Sequence, residues 1–208
     1  IFGGEDFDAR LVQPGWSNAK FDDSKWLPPS ILSGPGGELR GISCAAPPLR
    51  EIEVHRPVAT RALTNGEVVY DLGQNASHLP RLRVSGPRGT KVRLTPAEVV
   101  DDDGSVNQRS MGAGRRGSSW WEYTKGTDGV EEWTPQFCYI GCRYLQVRLT
   151  PASEGGALPK IKSLAGVVVH SVSEPVGEFA CSNELFNRIR TLVRWAQRAN
   201  MVSVLTDC

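Results

Sequence analysis

Two neighbouring runs, Arg81-Leu-Arg-Val84 and Lys91-Val-Arg-Leu94, decide the fold class of this chain. Each run alternates a basic residue with an aliphatic one, which is the period-two pattern of a strand with one buried face. Between them lies Gly86-Pro-Arg-Gly89, which carries the glycines and the proline that turns favour. The sequence therefore predicts two strands joined by a turn.

Similar strand-like runs occur throughout residues 50–170, and turn signals separate them. Many short strands without intervening helices favour an antiparallel two-sheet sandwich over a parallel α/β sheet. The expected fold class is mainly β. The further runs are Glu51-Ile-Glu-Val54, Glu67-Val-Val-Tyr70, Trp121-Glu-Tyr-Thr124, Tyr144-Leu-Gln-Val-Arg-Leu149 and Gly166-Val-Val-Val-His170.

The spacing of apolar residues changes after Cys181 and predicts one amphipathic helix over residues 182–199. Leu185 and Ile189 begin an apolar face at helical spacing, and Ser182 is the expected N-cap. A broad apolar face needs a partner, and the sequence up to residue 208 contains no second helix to cover it. We therefore expect this helix to belong to a domain that is otherwise missing from the chain.

The charge composition indicates whether nucleic acid or an anionic membrane is to be expected as a binding partner. Lys and Arg total 24 and Asp and Glu total 23, so the near balance gives no general attraction to nucleic acid or to an anionic membrane. Neither is expected as a partner. Asn75-Ala-Ser77 is a glycosylation sequon whose meaning depends on a secretory context. The compartment stays open, with a periplasmic or extracellular location favoured over a cytoplasmic one.

Three patterns that could indicate cofactor chemistry have simpler structural interpretations. Gly112-Ala-Gly-Arg-Arg-Gly117 matches a dinucleotide loop, but strand-like sequence follows it where a helix is required. Asp101-Asp-Asp-Gly104 could bind calcium, but it lacks the other ligands of a calcium-binding loop and favours a solvated turn. His55, His78 and His170 lack zinc-site spacing. We expect no metal site and no cofactor, with calcium kept as an alternative.

Trp120 and Trp133 are the candidates for carbohydrate contact, because flat aromatic faces stack well on sugars. The competing interpretation is core packing, since the strand period buries one of Trp120 and Trp121. No catalytic triad, carboxylate pair or phosphate loop is evident. From residue chemistry alone, the chain is a binding or scaffolding piece.

Several motifs, taken in their order and spacing, resemble the bacterial α-L-rhamnosidases of glycoside hydrolase family 78. Each motif is weak alone, but the ordered set spans nearly the whole chain. The motifs are Gly4-Glu-Asp-Phe-Asp-Ala-Arg10, Phe21-Asp-Asp-Ser-Lys-Trp26, Val69-Tyr-Asp-Leu-Gly-Gln-Asn75 with Gly86-Pro-Arg-Gly89, Asp103-Gly-Ser-Val-Asn-Gln-Arg109, Trp133-Thr-Pro135, Gly141-Cys-Arg-Tyr144, Val168-Val-His-Ser171, Gly177-Glu-Phe-Ala-Cys-Ser-Asn183 and Thr206-Asp-Cys208.

The resemblance implies three parts. Residues 1–49 would be the end of a galactose-binding-like β-domain with its linker. Residues 50–172 would form a concanavalin-like antiparallel β-sandwich. Residues 173–208 would be a linker and the first helix of a catalytic (α/α)6 barrel that lies mainly beyond residue 208.

The resemblance also implies a function, namely inverting hydrolysis of terminal α-L-rhamnose in glycosides or polysaccharides by two carboxyl groups. Both carboxyl groups would lie beyond residue 208, so this segment alone is expected to be an inactive scaffold. Asp207 matches the position that hydrogen-bonds the rhamnose ring and is the one substrate-binding residue implied here. The expected partners are a rhamnose-containing glycan or glycoside and the missing barrel. The alternative is a stand-alone carbohydrate-binding β-sandwich module.

Overall fold

A computed structural model describes residues 3–34, 36–38, 47–111 and 118–206. Thirteen strands and one α-helix occur in these ranges. They are β1 (Glu5–Asp8), β2 (Leu49–His55), β3 (Ala59–Ala62), β4 (Val68–Ser85), β5 (Lys91–Ala97), β6 (Val99–Val100), β7 (Val106–Asn107), β8 (Trp121–Thr124), β9 (Glu131–Trp133), β10 (Ile140–Thr150), β11 (Lys160–Ser171), α1 (Glu184–Ala199), β12 (Met201–Val202) and β13 (Val204–Leu205).

Nine of these strands form one hydrogen-bonded sheet, so the mainly β fold class is confirmed. The order is β1-β8-β5-β10-β4-β11-β2, and β3 and β9 both join β4. All pairs are antiparallel except β1 with β8. The two predicted strands at residues 67–70 and 81–84 lie at opposite ends of the single strand β4.

Strand β4 bends because it contains a large bulge. Asp71 pairs with Tyr144 and Ala76 pairs with Cys142, so four residues of β4 lie opposite Arg143. Within the bulge, Gly73 has φ 80°, which glycine adopts without a Cβ clash. The Asp71 carboxylate accepts hydrogen bonds from the Gly73 backbone N–H at 2.7 Å and from Arg143 through both oxygens at 2.8 Å. These contacts hold the bend.

The bend lets the sheet curl around one core. Leu82 and Val84 from the second half of β4 pack in the same cluster as Trp121 and Tyr123 of β8. The ring of Tyr123 stacks on that of Trp133 of β9 with centroids 5.2 Å apart. Residues from distant parts of the sheet thus face each other across the core, which gives the concanavalin-like sandwich.

Strand β1 belongs to this sheet although the sequence grouped it with the preceding 1–49 region. It pairs in parallel with β8. The Glu5 carboxylate is buried and accepts hydrogen bonds from the backbone N–H groups of Gln136 and Phe137 at 2.8–3.1 Å. Residues 5–8 are therefore fixed to the sandwich by backbone pairing and by a buried carboxylate.

The N-cap of helix α1 lies one residue later than the sequence predicted, and the helix begins at Glu184. Its N-cap is Asn183, whose Oδ1 accepts a hydrogen bond from the Leu185 N–H at 3.0 Å, so the prediction of Ser182 was wrong. The apolar face is open in this chain, with Leu185 61% and Leu192 68% exposed. The expected amphipathic helix is confirmed, including its uncovered face.

Lys125 provides a stability test of the sandwich. Its fully buried ammonium donates to Glu131 Oε2 at 2.7 Å and to the Gly129 carbonyl at 2.8 Å. Lys125→Met should lower the free energy of unfolding by about 3–5 kcal/mol, because it leaves a carboxylate without its buried partner. Urea unfolding measures the change.

Lys91→Met is the matched control. Lys91 also pairs with a glutamate, Glu122, but its side chain is 44% exposed. Its loss should cost at most ~1 kcal/mol. Equal losses for the two variants would contradict a structural role for the buried pair.

Candidate functional site at the sandwich–helix junction

The C-terminal end of α1 packs against the sandwich. The buried Ser77 of β4 donates its hydroxyl to the Ala199 carbonyl oxygen at 2.5 Å. This bond satisfies one of the carbonyls that the last turn of a helix leaves without a partner. The His55 ring of β2 meets the Trp195 ring edge-on, with centroids 5.8 Å apart. The sandwich therefore contacts the end of the helix that leads towards residue 207.

Arg198 joins α1 to two strands at once. Its guanidinium donates a hydrogen bond to the Glu53 carboxylate of β2, and its Nε donates to His170 Nε2 of β11 at 3.2 Å. It also lies over the Trp195 ring, 4.2 Å from the ring centroid. Burial alone would raise the pKa of Glu53, but hydrogen bonds and charge from Arg198 and His55 outweigh it and lower that pKa. Glu53 therefore stays ionised beside Arg198.

A pair of histidines extends this contact into the sheet. His78 Nδ1 lies 3.0 Å from the carbonyl oxygen of Cys142, which only accepts, so we assign the proton to Nδ1. His78 Nε2 then accepts from His55 Nδ1 at 3.0 Å. His55 Nε2 lies 3.3 Å from Glu53 Oε2, a contact that is attractive only while this nitrogen also carries a proton. The three strands β2, β4 and β10 are thus linked below the helix.

His55, His78 and His170 lack zinc-site spacing in the sequence, but the structure brings them into one network. Glu53 and His55 lie two residues apart on one face of β2, a pairing that the strand period could have revealed. His78, His170 and Arg198 come from distant segments and gave no local signal. In the part of the chain that the structure describes, no group of three or more His, Cys, Asp or Glu side chains is placed to hold a metal ion.

The hairpin formed by β12 and β13 follows α1 and is tied to the same elements. The Ser203 N–H donates to Ser171 Oγ of β11 at 2.8 Å, and the Thr206 N–H donates to the Asn200 carbonyl at 2.8 Å. Asp207, the predicted sugar-binding residue, lies outside the described residues. Its role stays a prediction.

A groove of about 540 Å³ lies between β4 and α1. Leu192 and Trp195 line it from the helix, and Asn75 and Glu98 line it from the sheet side. Asn75 Nδ2 donates to Glu98 Oε1 at 3.1 Å. Glu98 is the single carboxylate among the described lining residues, whereas glycoside hydrolysis ordinarily needs two. The groove thus places one carboxylate opposite the apolar side chains of Leu192 and Trp195.

The two tryptophans predicted to contact carbohydrate occupy different environments. Trp133 is 7% exposed and packs in the core against Tyr123, so the structure gives it a packing role. Trp120 is half-buried, donates through Nε1 to Asp6 Oδ1 at 2.8 Å, and has the Arg93 guanidinium 4.6 Å from its ring centroid. A sugar contact at Trp120 stays a prediction.

In the predicted turn at residues 101–104, two of the three carboxylates accept hydrogen bonds from residues that follow the turn. Asp103 Oδ1 accepts hydrogen bonds from the N–H and the hydroxyl of Ser105, and Asp101 Oδ1 accepts from Asn107 Nδ2 at 2.7 Å. The glycine-rich run 112–117 lies outside the described residues. Within the described ranges, no helix combines the length and the apolar character needed to cross a membrane.

Comparison with models of protein families shows to which family the chain belongs. The model of the bacterial alpha-L-rhamnosidase concanavalin-like domain matches residues 61–170, more than half of the chain. The chain belongs to the bacterial α-L-rhamnosidase family. The alpha-L-rhamnosidase N-terminal domain model matches residues 1–53, and the bacterial alpha-L-rhamnosidase six-hairpin glycosidase domain model matches residues 174–208.

Individual α-L-rhamnosidases are similar over the whole chain. The enzyme of Streptomyces avermitilis is 32% identical over 216 residues, covering 100% of this chain and 19% of that protein. The crystal structure of the Aspergillus terreus enzyme has a TM-score of 0.81 at 36% identity, covering 100% of this chain and 23% of that one. For the Dictyoglumus thermophilum enzyme the TM-score is 0.83 at 33% identity, covering 99% and 22%. The chain thus spans about a fifth of the length of these relatives.

His78 gives this rhamnosidase-family chain a pH-dependent stability. Burial, followed by the charge of neighbouring His55, lowers the pKa of the His78 imidazole to about 4. The folded state therefore favours neutral His78. The stability that His78 contributes to the folded state is present above about pH 6.5 and is lost as the pH falls towards 4. Between pH 7 and 4, the chain should lose about 3 kcal/mol more unfolding free energy than His78→Gln. Urea unfolding at several pH values measures both; parallel pH dependences would contradict the prediction.

Proposed function

We propose that this chain is the scaffold portion of an α-L-rhamnosidase, and that the residues which cleave the glycosidic bond lie in sequence that follows α1. The observation that carries the proposal is the attachment of α1. Arg198 and Ser77 fix its C-terminal end to the sandwich, while Leu185 and Leu192 on its apolar face stay exposed. The match of residues 174–208 to a six-hairpin glycosidase domain supports a helical domain as the partner of that face.

The carboxyl groups of the chain support its assignment as a scaffold. A general acid in glycoside hydrolysis needs a raised pKa. Hydrogen bonding to Arg143 is the main cause that lowers the pKa of Asp71. Burial raises the pKa of Glu67, but hydrogen bonds from Gln146 and Arg148 outweigh it. In the described ranges, every carboxyl group whose pKa is clearly shifted is shifted downward.

The proposed division of the chain keeps three parts. Residues 1–49 end a galactose-binding-like domain, residues 50–172 form the sandwich, and residues 173–208 open the catalytic barrel. The ranges matched by the three family models, 1–53, 61–170 and 174–208, support this division. Strand β1 is then a tether, because it belongs to the first part by sequence and pairs with β8.

The proposed substrate is a glycan or glycoside with a terminal α-L-rhamnose, which the whole protein hydrolyses with inversion. A related structure, that of the Streptomyces avermitilis α-L-rhamnosidase, is described as complexed with L-rhamnose, which supports this sugar class. Inversion requires two carboxyl groups far enough apart to admit a water molecule. Asp207 is proposed to bind the sugar, because a carboxylate accepts charge-assisted hydrogen bonds from neighbouring hydroxyls.

The test compares residues 1–208 with the longer natural protein on an aryl α-L-rhamnoside. We expect no turnover from residues 1–208, since the segment lacks the acid and base, and turnover from the longer protein. NMR of the first product should show the β-anomer, as inversion requires. Measurable turnover by residues 1–208 alone would contradict the scaffold assignment.

Calorimetry with L-rhamnose distinguishes the scaffold from a stand-alone binding module. The scaffold predicts no saturable binding to residues 1–208, because the proposed sugar contacts need the following domain. Saturable binding that is lost in Trp120→Ala, with the unfolding midpoint unchanged, would instead favour the binding module.

A further inference from the structure

We propose that Arg198, held by Glu53 and His170, is a positioning residue for the catalytic domain: it fixes the end of α1 and the hairpin 201–206, and so orients the proposed sugar-binding residues of the domain that they lead into. The inference rests on the proposed function. Sequence resemblance gave Arg198 no role, because its partners lie 28 and 145 residues away.

Helix α1 contacts the sandwich near its C-terminal end, while its N-terminal half is exposed. The N-terminal half of α1 exposes Leu185, Phe186 and Ile189, each 45–61% exposed, whereas the Arg198 side chain is 26% exposed and paired. The sandwich therefore contacts the helix near the C-terminal end of the helix. An arginine side chain suits this contact, because its planar guanidinium can donate hydrogen bonds to acceptors on two different strands. Glu53 and His170 occupy those two strands.

The hairpin 201–206 contacts the same strand, β11, that Arg198 contacts. Arg198 contacts His170, and the next residue of β11, Ser171, accepts the hydrogen bond from the Ser203 N–H. Ser203 itself has φ 63°, a left-handed conformation that is sparsely populated by residues with a Cβ. Helix end and hairpin are thus pinned to adjacent residues of one strand, so a displaced helix end would displace the hairpin with it.

Among its described contacts, Arg198 has one anionic partner, Glu53. The groups that face Arg198 are Glu53 of β2 and His170 of β11, and Glu53 also lies beside His55. Removing the Glu53 charge leaves Arg198 with no anionic partner among these contacts. Glu53→Gln keeps the shape of the side chain, so it changes the restraint on Arg198 without opening a cavity.

Glu51→Gln is the matched control for Glu53→Gln. Glu51 lies on the same strand and also accepts hydrogen bonds from an arginine, Arg81, at 2.7 Å. That arginine belongs to β4 and not to α1. The two variants therefore make the same chemical change in the same strand, and they differ in whether α1 is released.

The experiment measures kcat and KM of the full-length protein on an aryl α-L-rhamnoside. Glu53→Gln and Arg198→Met should each raise KM about ten-fold, within the range of measured long-range couplings, with kcat changed less than about two-fold. The double variant should be no worse than Arg198→Met alone, since that substitution already removes the contact with Glu53. Arg198→Lys should recover part of the loss, and Glu51→Gln should match the wild type.

The outcomes distinguish a failure of the proposed function from a failure of the positioning role of Arg198. No turnover by the wild type would overturn the proposed function itself. A KM for Glu53→Gln and Arg198→Met equal to that of Glu51→Gln, in an active protein, would overturn the positioning role. If Glu53→Gln fails to fold, Arg198→Met decides: a folded variant with raised KM supports the role, and a folded variant with wild-type KM overturns it.

Discussion

Strand β4 has hydrogen-bonded neighbours along both edges, and the layout of the molecule depends on that pairing. One edge pairs with β10 and then β9, and the other pairs with β3 and then β11. The bulge at Gly73, held by Asp71 and Arg143, bends β4. Because β4 bends, its neighbouring strands belong to both layers of one curled sheet. The same strand carries Ser77 and His78 beneath α1, so the bend that shapes the core also shapes the helix-binding surface.

The sequence predicted most of the strands but not how they connect. Alternation over 81–84 and 91–94 follows from one buried face, so the local pattern was sufficient. The fusion of residues 67–70 with 81–84 into β4 was hidden, because Gly73 and Asn75 between them are turn-type residues and the strand continues through pairing with β10 and β11. Ser182 and Asn183 are both good caps, and only the helical register selects Asn183.

The junction site was the least predictable part. By its helical spacing from Leu185 and Ile189, Arg198 falls on the polar face of the amphipathic helix, which is where a charged side chain normally lies in water. It instead pairs with Glu53 and His170, which lie far from it in sequence and become its neighbours only once the sheet has formed. The family resemblance indicated which domains adjoin, but the contacts that join them came from the packing of β2, β4 and β11 against α1.

Native-state hydrogen exchange along α1 in residues 1–208 measures whether the sandwich holds the helix by its C-terminal end. If it does, exchange is slow for the amides of 197–206, including Ser203 and Thr206, and fast for those near Leu185. Uniformly fast exchange over 184–206, with the sandwich core still protected, would contradict that attachment.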